Sequence, residues 1–141
     1  MKQSAEAWLE FARRDFSAAR KLLSDEYHAN IVLFLCQQAI EKSLKAILEE
    51  CGARIPKIHN TKELFRSVNS VAPVDIEFTF FELIDSIYTE SRYPASMGLL
   101  PSGFPTKEQA IDVFEQTERV FNVLLARLKN TELSTDNKHH F

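Results

Sequence analysis

Hydrophobic positions along the 141-residue chain recur mostly at intervals of three and four, which is the period of an amphipathic α-helix. The first stretch with this pattern spans about 4–24, and its apolar side chains, from Ala5 and Trp8 to Leu23, form a single stripe. Charged residues lie mostly off that stripe. The pattern therefore predicts a first helix that buries one face.

The second periodic stretch, residues 28–51, is apolar on every side over its front half. Ile31 to Cys36 are consecutive apolar residues, whereas beyond Ala39 the apolar positions narrow to one face. Such a helix lies at the centre of a bundle, and Gly52 supplies a C-terminal stop. In a bundle this small, the neighbouring helices of one chain do not bury all sides of this apolar N-terminal half. We therefore also predict a homodimer.

Three further helices follow, and polar capping residues mark where each should begin. The predicted caps are Asn60 with Glu63, Asp75, and Thr106 with Gln109. We expect the last helix to end near Lys129, and no strand-like alternation of useful length occurs. The prediction is an all-α, antiparallel four- to five-helix up-and-down bundle with a long central second helix. It comprises residues 1–129, followed by a polar, disordered tail over 130–141.

Composition and charge narrow the function classes. The net charge of -3 and the pI near 5.8 give no sign of the broad basic face that non-specific nucleic-acid binding needs. Cys36 and Cys51 lie in apolar helical contexts and are interpreted as core residues of a reducing compartment. No secretory leader or membrane-length apolar run is present, so we expect a cytoplasmic protein that does not span a membrane. His139 and His140 form no ligand set with the cysteines, and we expect neither a metal nor a cofactor.

Four short motifs occur in order along these predicted elements. They are Trp8, Ala12, Asp15 and Phe16 on the first helix, the run Gln37–Ala46 on the second, Lys57-Ile58-His59 in the following loop, and the run Tyr88–Pro94 that ends in Arg-Tyr-Pro. Each motif is weak alone, but their combination over about 4–129 resembles the HEPN domain family, the nucleotide-binding domains shared by higher eukaryotes and prokaryotes.

The resemblance implies a function as well as a fold. Minimal, stand-alone HEPN proteins commonly form one half of a two-gene, toxin-antitoxin-like pair whose other half is a minimal (MNT-type) nucleotidyltransferase. In that setting a HEPN dimer binds its partner, or a nucleotide such as ATP, in a groove beside the second helix, and RNA is the less favoured ligand. The residues that would form this nucleotide- or partner-binding site are Gln38, Glu41, Lys42, Lys45, His59, Arg92 and Tyr93.

The polar residues of the second helix admit two interpretations. Gln38, Lys42 and Lys45 share one helix face, and Glu41 stands four positions before Lys45 in the favourable order for an ion pair. They form either a solvated, ion-paired stripe or one wall of the groove, where Glu41 would pair with Arg92. In the groove, partial desolvation would strengthen polar contacts to a phosphate or a base.

The residues of the loops also leave alternatives open. Arg92 and Tyr93 either bind a phosphate and stack on a base, or close the fourth helix and pack on the core. His59 either contributes to the site or fixes its own loop through a backbone hydrogen bond.

Ribonuclease activity is the main alternative function. Many HEPN toxins cut RNA without metal, using an arginine followed four to six residues later by a histidine. The family carries that pair near the segment of Arg92, but no histidine follows Arg92 before His139. Arg54 and His59 match the bare spacing in a loop where the family does not carry it, and they are weak catalytic candidates. We therefore favour a non-catalytic binding module over a metal-independent ribonuclease or a purely structural dimeric scaffold.

Overall fold

The computed structural model describes residues 1–58, 60–92 and 104–139, and within them all side chains except those of 89–92 and 132–139. These residues form five α-helices and one short 3₁₀ helix, without a strand in the described ranges. The elements are α1 (Gln3–Leu22), the 3₁₀ helix (Glu26–His28), α2 (Ala29–Glu50), α3 (Thr61–Val71), α4 (Phe78–Arg92) and α5 (Lys107–His139). The predicted all-α bundle is confirmed.

Helix α2 is the centre of the bundle because all four other α-helices pack against it. Its residues Val32, Cys36, Ile40, Leu44 and Ile47 have no exposed surface. Helix α2 contributes more buried apolar residues than any other helix, and each Å² of buried apolar surface adds about 25 cal/mol of stabilisation. The long central second helix predicted from the sequence is confirmed.

The direction of α1 relative to α2 follows from contacts at its N-terminal end. The backbone N of Lys2 lies 3.3 Å from a carboxylate oxygen of Glu50, and the Ser4 hydroxyl donates to Glu49 at 2.9 Å. The start of α1 therefore meets the end of α2, and the two helices run antiparallel.

Aromatic rings join the outer helices across the core. The Phe16 ring of α1 stacks on Phe114 and Phe121 of α5, with centroid distances of 4.8 and 4.9 Å. Phe65 of α3 stacks on Phe81 of α4 at 4.2 Å. Each stacked pair adds about 0.5–1.5 kcal/mol to the burial of its surface, so these contacts fix how the outer helices pack.

Two of the predicted helix starts are confirmed by their capping hydrogen bonds. The backbone N of Glu63 donates to the side chain of Asn60 at 3.3 Å. At the start of α5, Gln109 N donates to the Thr106 hydroxyl at 3.1 Å and Thr106 N donates to the Gln109 side chain at 2.7 Å. Both satisfy backbone N–H groups that the first helical turn leaves without a partner.

A second residue caps α3 from another helix. The Asp85 carboxylate of α4 accepts hydrogen bonds from the backbone N and hydroxyl of Thr61 (3.0 and 2.7 Å) and from the backbone N of Lys62 (3.1 Å). A carboxylate here also interacts favourably with the positive end of the helix dipole. It therefore ties the start of α3 to the middle of α4.

The predicted cap at Asp75 is wrong, because α4 begins at Phe78. The backbone N of Val74 donates to the Asn69 side chain at 3.1 Å, and the Pro73 carbonyl accepts from Arg127 at 3.0 Å. These contacts hold the connection to α3 and α5, so the chain remains irregular for a further three residues.

The structure agrees with the predicted C-terminal end of α2 but not with that of α5. Helix α2 ends at Glu50, and Gly52 follows it as expected with a φ of 68°, next to a 2.9 Å hydrogen bond from Ala53 N to Leu48 O. Helix α5, in contrast, continues past the predicted end at Lys129 to His139.

The apolar N-terminal half of α2 is buried mainly by packing within one chain. Val32, Leu33 and Cys36 are buried, and Ile31 is 38% exposed. Intramolecular packing therefore covers most of the surface from which we predicted a homodimer. The homodimer stays a prediction, but this part of α2 does not support it.

Candidate functional site

Four of the predicted site residues lie along the side of α2 that meets α1. Gln38, Glu41, Lys42 and Lys45, which we call the lysine face, are spaced three and four residues apart and so project in similar directions. Two of them contact side chains of α1. The site is therefore a seam between two antiparallel helices.

The first contact across the seam joins Lys42 to Asp15. The Lys42 Nζ lies 2.6 Å from Asp15 Oδ2, and the two side chains are 20% and 19% exposed. The same ammonium lies 5.7 Å from the centroid of the Phe11 ring. Lys42 therefore contacts both a carboxylate and the face of an aromatic ring.

The second contact joins Lys45 to Trp8. The Lys45 Nζ lies 4.9 Å from the Trp8 ring centroid and 4.0 Å from Glu41 Oε2. The Lys45 and Glu41 side chains are only 10% and 5% exposed, so their i,i+4 pair is buried rather than a solvated stripe. Burial lowers the effective dielectric around the pair and strengthens its attraction, at the cost of desolvating both charges.

Gln38 completes the lysine face from the next turn of α2. Its side-chain nitrogen donates to the Gln37 side-chain oxygen at 2.8 Å, and Gln37 is only 1% exposed. The half-buried Gln38 amide is thus oriented by a fully buried neighbour.

The described charges of the seam balance each other. Lys42 and Lys45 contribute two positive charges, and Asp15 and Glu41 contribute two negative charges. A phosphate group would therefore meet little net positive potential from these four residues. Phe11 is an exposed aromatic residue beside them, with 59% of its surface accessible.

The end of α4 lies against α2 close to the lysine face. Phe34, one turn before Gln38, stacks on Tyr88 of α4 with ring centroids 5.6 Å apart. The α4 backbone continues for one further turn to Arg92. Packing thus brings beside α2 the helix that ends at Arg92, the first residue of the Arg-Tyr-Pro motif.

The remaining predicted site residues lie partly or wholly outside the described part of the chain. This is true of the Arg92 side chain, of Tyr93 and of His59. Their roles, and the pairing of Glu41 with Arg92, stay predictions. Arg54 is exposed in the connection after α2, and the His59 half of that candidate catalytic pair is not described.

Three residues of α1 belong to this site although the sequence did not place them there. For Trp8 and Asp15, their place in the first-helix motif was the one sequence feature that could have indicated a role in the site. Phe11 had no such feature. Helical periodicity shows which residues of one helix share a face, but it does not show which residues of another helix they meet.

Other reactive groups lie apart from the lysine face. His28 Nδ1 lies 2.6 Å from Asp25 Oδ2, and this hydrogen bond is the main cause that lowers the pKa of the Asp25 carboxyl. Burial raises the pKa of the Cys36 thiol to about 12, and it also raises that of Cys51. Among the described residues, no three histidine, cysteine or acidic side chains come together as ligands for a metal ion. None of the described helices is both long and apolar enough to cross a membrane.

Comparison with known proteins agrees with this architecture. Two solved structures superpose on nearly the whole bundle: TT1696 from Thermus thermophilus, with a TM-score of 0.73 and 22% identity, and ST0689, an archaeal HEPN homologue, with a TM-score of 0.68 and 23% identity. The first match covers 89% of this chain and the second 90%, and each covers 99% of the other chain. At these identities the likeness shows the fold alone. No curated protein matches the chain in sequence.

A family model supplies the assignment that structural similarity alone does not. The model of the HEPN domain matches residues 5–129, which include α2, α3 and α4 in full and most of α1 and α5. The matched range contains both helices of the seam and the residues that connect them. The chain therefore belongs to the HEPN domain family.

Proposed function

We propose that this chain is a non-catalytic binding module whose lysine face, together with the adjoining surface of α1, docks a protein partner. The partner is a minimal nucleotidyltransferase in a two-gene, toxin-antitoxin-like system. The observation that carries the proposal is the 59% exposure of Phe11 beside the Asp15–Lys42 ion pair. Aromatic side chains next to charged groups are frequent anchors of protein interfaces.

The charge balance of the seam favours a protein partner over a phosphate. Lys42 is already 2.6 Å from Asp15, and Lys45 is buried against Trp8 and Glu41. A phosphate would have to compete with these carboxylates for both ammonium groups. A protein, in contrast, can cover Phe11 without breaking either pair.

The rigidity of the seam also supports docking. Lys42 and Lys45 each contact α1, so the relative position of the two helices is held by polar as well as apolar contacts. A surface that is ordered before binding loses less conformational entropy when the partner arrives.

Calorimetric titration of the purified chain with the minimal nucleotidyltransferase of the proposed two-gene pair tests this proposal. Phe11→Ala should raise the Kd about tenfold, a typical loss for an interface anchor. Tyr27→Ala is the matched control, because Tyr27 is 88% exposed and lies just before the opposite end of α2. Equal affinity of the wild type and Phe11→Ala would remove Phe11 and the seam from the proposed interface.

Titration with ATP separates the partner-binding and nucleotide-binding forms of the proposal. We expect no saturable binding at micromolar protein. Saturable binding that is lost in both Lys42→Ala and Arg92→Ala would instead assign the predicted groove to a nucleotide.

An RNA-cleavage assay in EDTA tests the ribonuclease alternative. His28, the one histidine whose side chain is described, bonds Asp25 and makes no hydrogen bond to an arginine. Cleavage that survives EDTA and disappears in His59→Ala would replace the binding module with a metal-independent nuclease. A chain that binds neither protein nor nucleotide and cuts no RNA would be the structural dimeric scaffold.

The homodimer predicted from the sequence is part of the same proposal. Because the front of α2 is largely buried within one chain, the dimer requires another surface. Sedimentation of the wild type at micromolar concentration tests its existence independently of any partner.

A further inference from the structure

A groove lies between the beginning of α4 and the middle of α5, on a different part of the bundle from the lysine face. Its volume is about 450 Å³. The apolar residues that line it are Ile76, Phe80, Leu83, Val120 and Val123. We call it the α4–α5 groove.

The α4–α5 groove exposes apolar side chains on both of its walls. Leu83 of α4 is 38% exposed and Val123 of α5 is 40% exposed, so a large aliphatic side chain projects from each wall. Phe80 is 7% exposed and contributes to the floor. A contiguous apolar groove of this kind is typical of a surface that another molecule covers.

The rim of the groove carries charges of both signs. Arg119 lies on the α5 wall, whereas Asp75 and Glu77 lie on the opposite side, just before α4. All three are exposed, and none makes an ion pair or a side-chain hydrogen bond within the described part of the chain. An apolar centre with a charged, solvent-exposed rim has the anatomy of a protein interface.

We infer that the α4–α5 groove is the homodimer interface and that its occupant is the same surface of a second copy of this chain. In a two-fold symmetric dimer, the interface of one copy contacts the same surface of the other copy. That surface must therefore supply both members of every charge pair. The rim meets this condition, because Arg119 of one copy can face Asp75 and Glu77 of its partner. A rim of one sign would repel a second copy.

The same arrangement provides complementary shape for the apolar residues. Val123 on α5 and Leu83 on α4 line opposite walls of the groove, which is open between them. A two-fold related copy can place its Val123 in this groove, where the side chain would contact Phe80 and Leu83. This inference rests on the homodimer of the proposed function and adds the surface through which it forms.

Equilibrium sedimentation of the full chain tests the interface. We expect a dimer at micromolar concentration, and we expect Val123→Asp to raise the dimer Kd about tenfold or more by placing a charge in the apolar centre. Val71→Asp is the matched control, because Val71 is 47% exposed on α3 and does not line the groove. It should leave the Kd unchanged.

Charge variants test the same contact without altering its apolar centre. Arg119→Glu should weaken the dimer, since each copy then opposes like charges. The triple variant Asp75→Arg, Glu77→Arg and Arg119→Glu exchanges the signs on both sides and should restore it. Because all three positions are exposed, these variants should keep the helical circular dichroism of the wild type.

The outcomes separate this inference from the proposals on which it rests. A wild type that is monomeric at every concentration overturns both the homodimer and the interface. A dimer that withstands Val123→Asp and Arg119→Glu overturns the α4–α5 interface and leaves the homodimer intact. Neither result bears on docking at Phe11, which is measured with the nucleotidyltransferase.

Discussion

The carboxylate of Asp15 and the ammonium of Lys42 lie 2.6 Å apart and join the first helix of the chain to the second. The two residues are 27 positions apart in sequence and belong to two separate family motifs. Each side chain is about one-fifth exposed. The pair therefore connects the two motifs physically, at the centre of the proposed docking seam.

Removal of one member of this pair should destabilise the bundle. We expect Asp15→Asn to lower the free energy of unfolding by about 1–3 kcal/mol, because Lys42 would keep a half-buried charge without its partner. Urea denaturation measures the change. Arg14→Gln is the matched control, because the Arg14 side chain is 75% exposed and its i,i+4 pair with Glu10 contributes only tenths of a kcal/mol. Combining Asp15→Asn with Lys42→Met should recover part of the loss, and strictly additive effects would show that the two residues are not coupled.

The two cysteines should react at very different rates in the folded protein. Burial raises the pKa of Cys36 to about 12, so at pH 8 only ~1 in 10,000 of its thiols is ionised, and the thiolate is the reactive form. The pKa of Cys51 is also raised by burial, but its side chain is partly exposed. A thiol-exchange assay should therefore titrate at most one slow thiol in the native state and two after unfolding. In Cys51→Ser the native protein should not react, and rapid reaction of that variant would contradict the burial of Cys36.

The acid titration of Asp25 should depend on His28. The hydrogen bond from His28 is the largest cause that lowers the pKa of Asp25 below its ordinary value of 3.8. Because the folded-state pKa is depressed, the contribution of Asp25 to stability is present above about pH 3.8 and is lost as the pH falls through the folded-state pKa. Carbon-13 NMR of the Asp25 carboxyl in His28→Ala should show its pKa moving back toward 3.8.

Tyr27→Ala provides the control for this titration. Asp25 accepts a hydrogen bond from the backbone N of Tyr27, which the substitution retains, so the pKa should stay low. A pKa of Asp25 that is the same with and without the imidazole would exclude His28 as its cause.

Replacement of Gly52 should cost stability through the backbone. Gly52 has a φ of 68°, in the left-handed region that side chains with a Cβ adopt at a cost, so Gly52→Ala should lower the free energy of unfolding by about 1 kcal/mol. The new Cβ would lie 3.3 Å from Lys2 Nζ, the end of a flexible side chain that can move away. Thermal denaturation should rank Gly52→Asn between alanine and the wild type, since asparagine tolerates this conformation better. An alanine variant as stable as the wild type would contradict the role of the positive φ.

Most of the fold could be predicted because its determinants are local. The three-and-four spacing of apolar residues predicted α1 and α2, and the capping pairs Asn60 with Glu63 and Thr106 with Gln109 predicted where α3 and α5 begin. These signals depend on residues within one or two turns of each other. The start of α4 was predicted wrongly, and the connection before it is held by a contact from far along the chain, the 3.0 Å hydrogen bond from Arg127 to the Pro73 carbonyl.

The composition of the site could be predicted only in part. Because an α-helix repeats every 3.6 residues, the sequence alone was enough to predict that Gln38, Lys42 and Lys45 share one face of a central helix and that Glu41 can pair with Lys45. Tertiary structure alone decided that Asp15 and Trp8 meet the two lysines and that Glu41 and Lys45 are buried rather than solvated. Burial and charge pairing depend on which helix packs against that face. That choice is made by the whole core, through contacts between residues far apart in the chain.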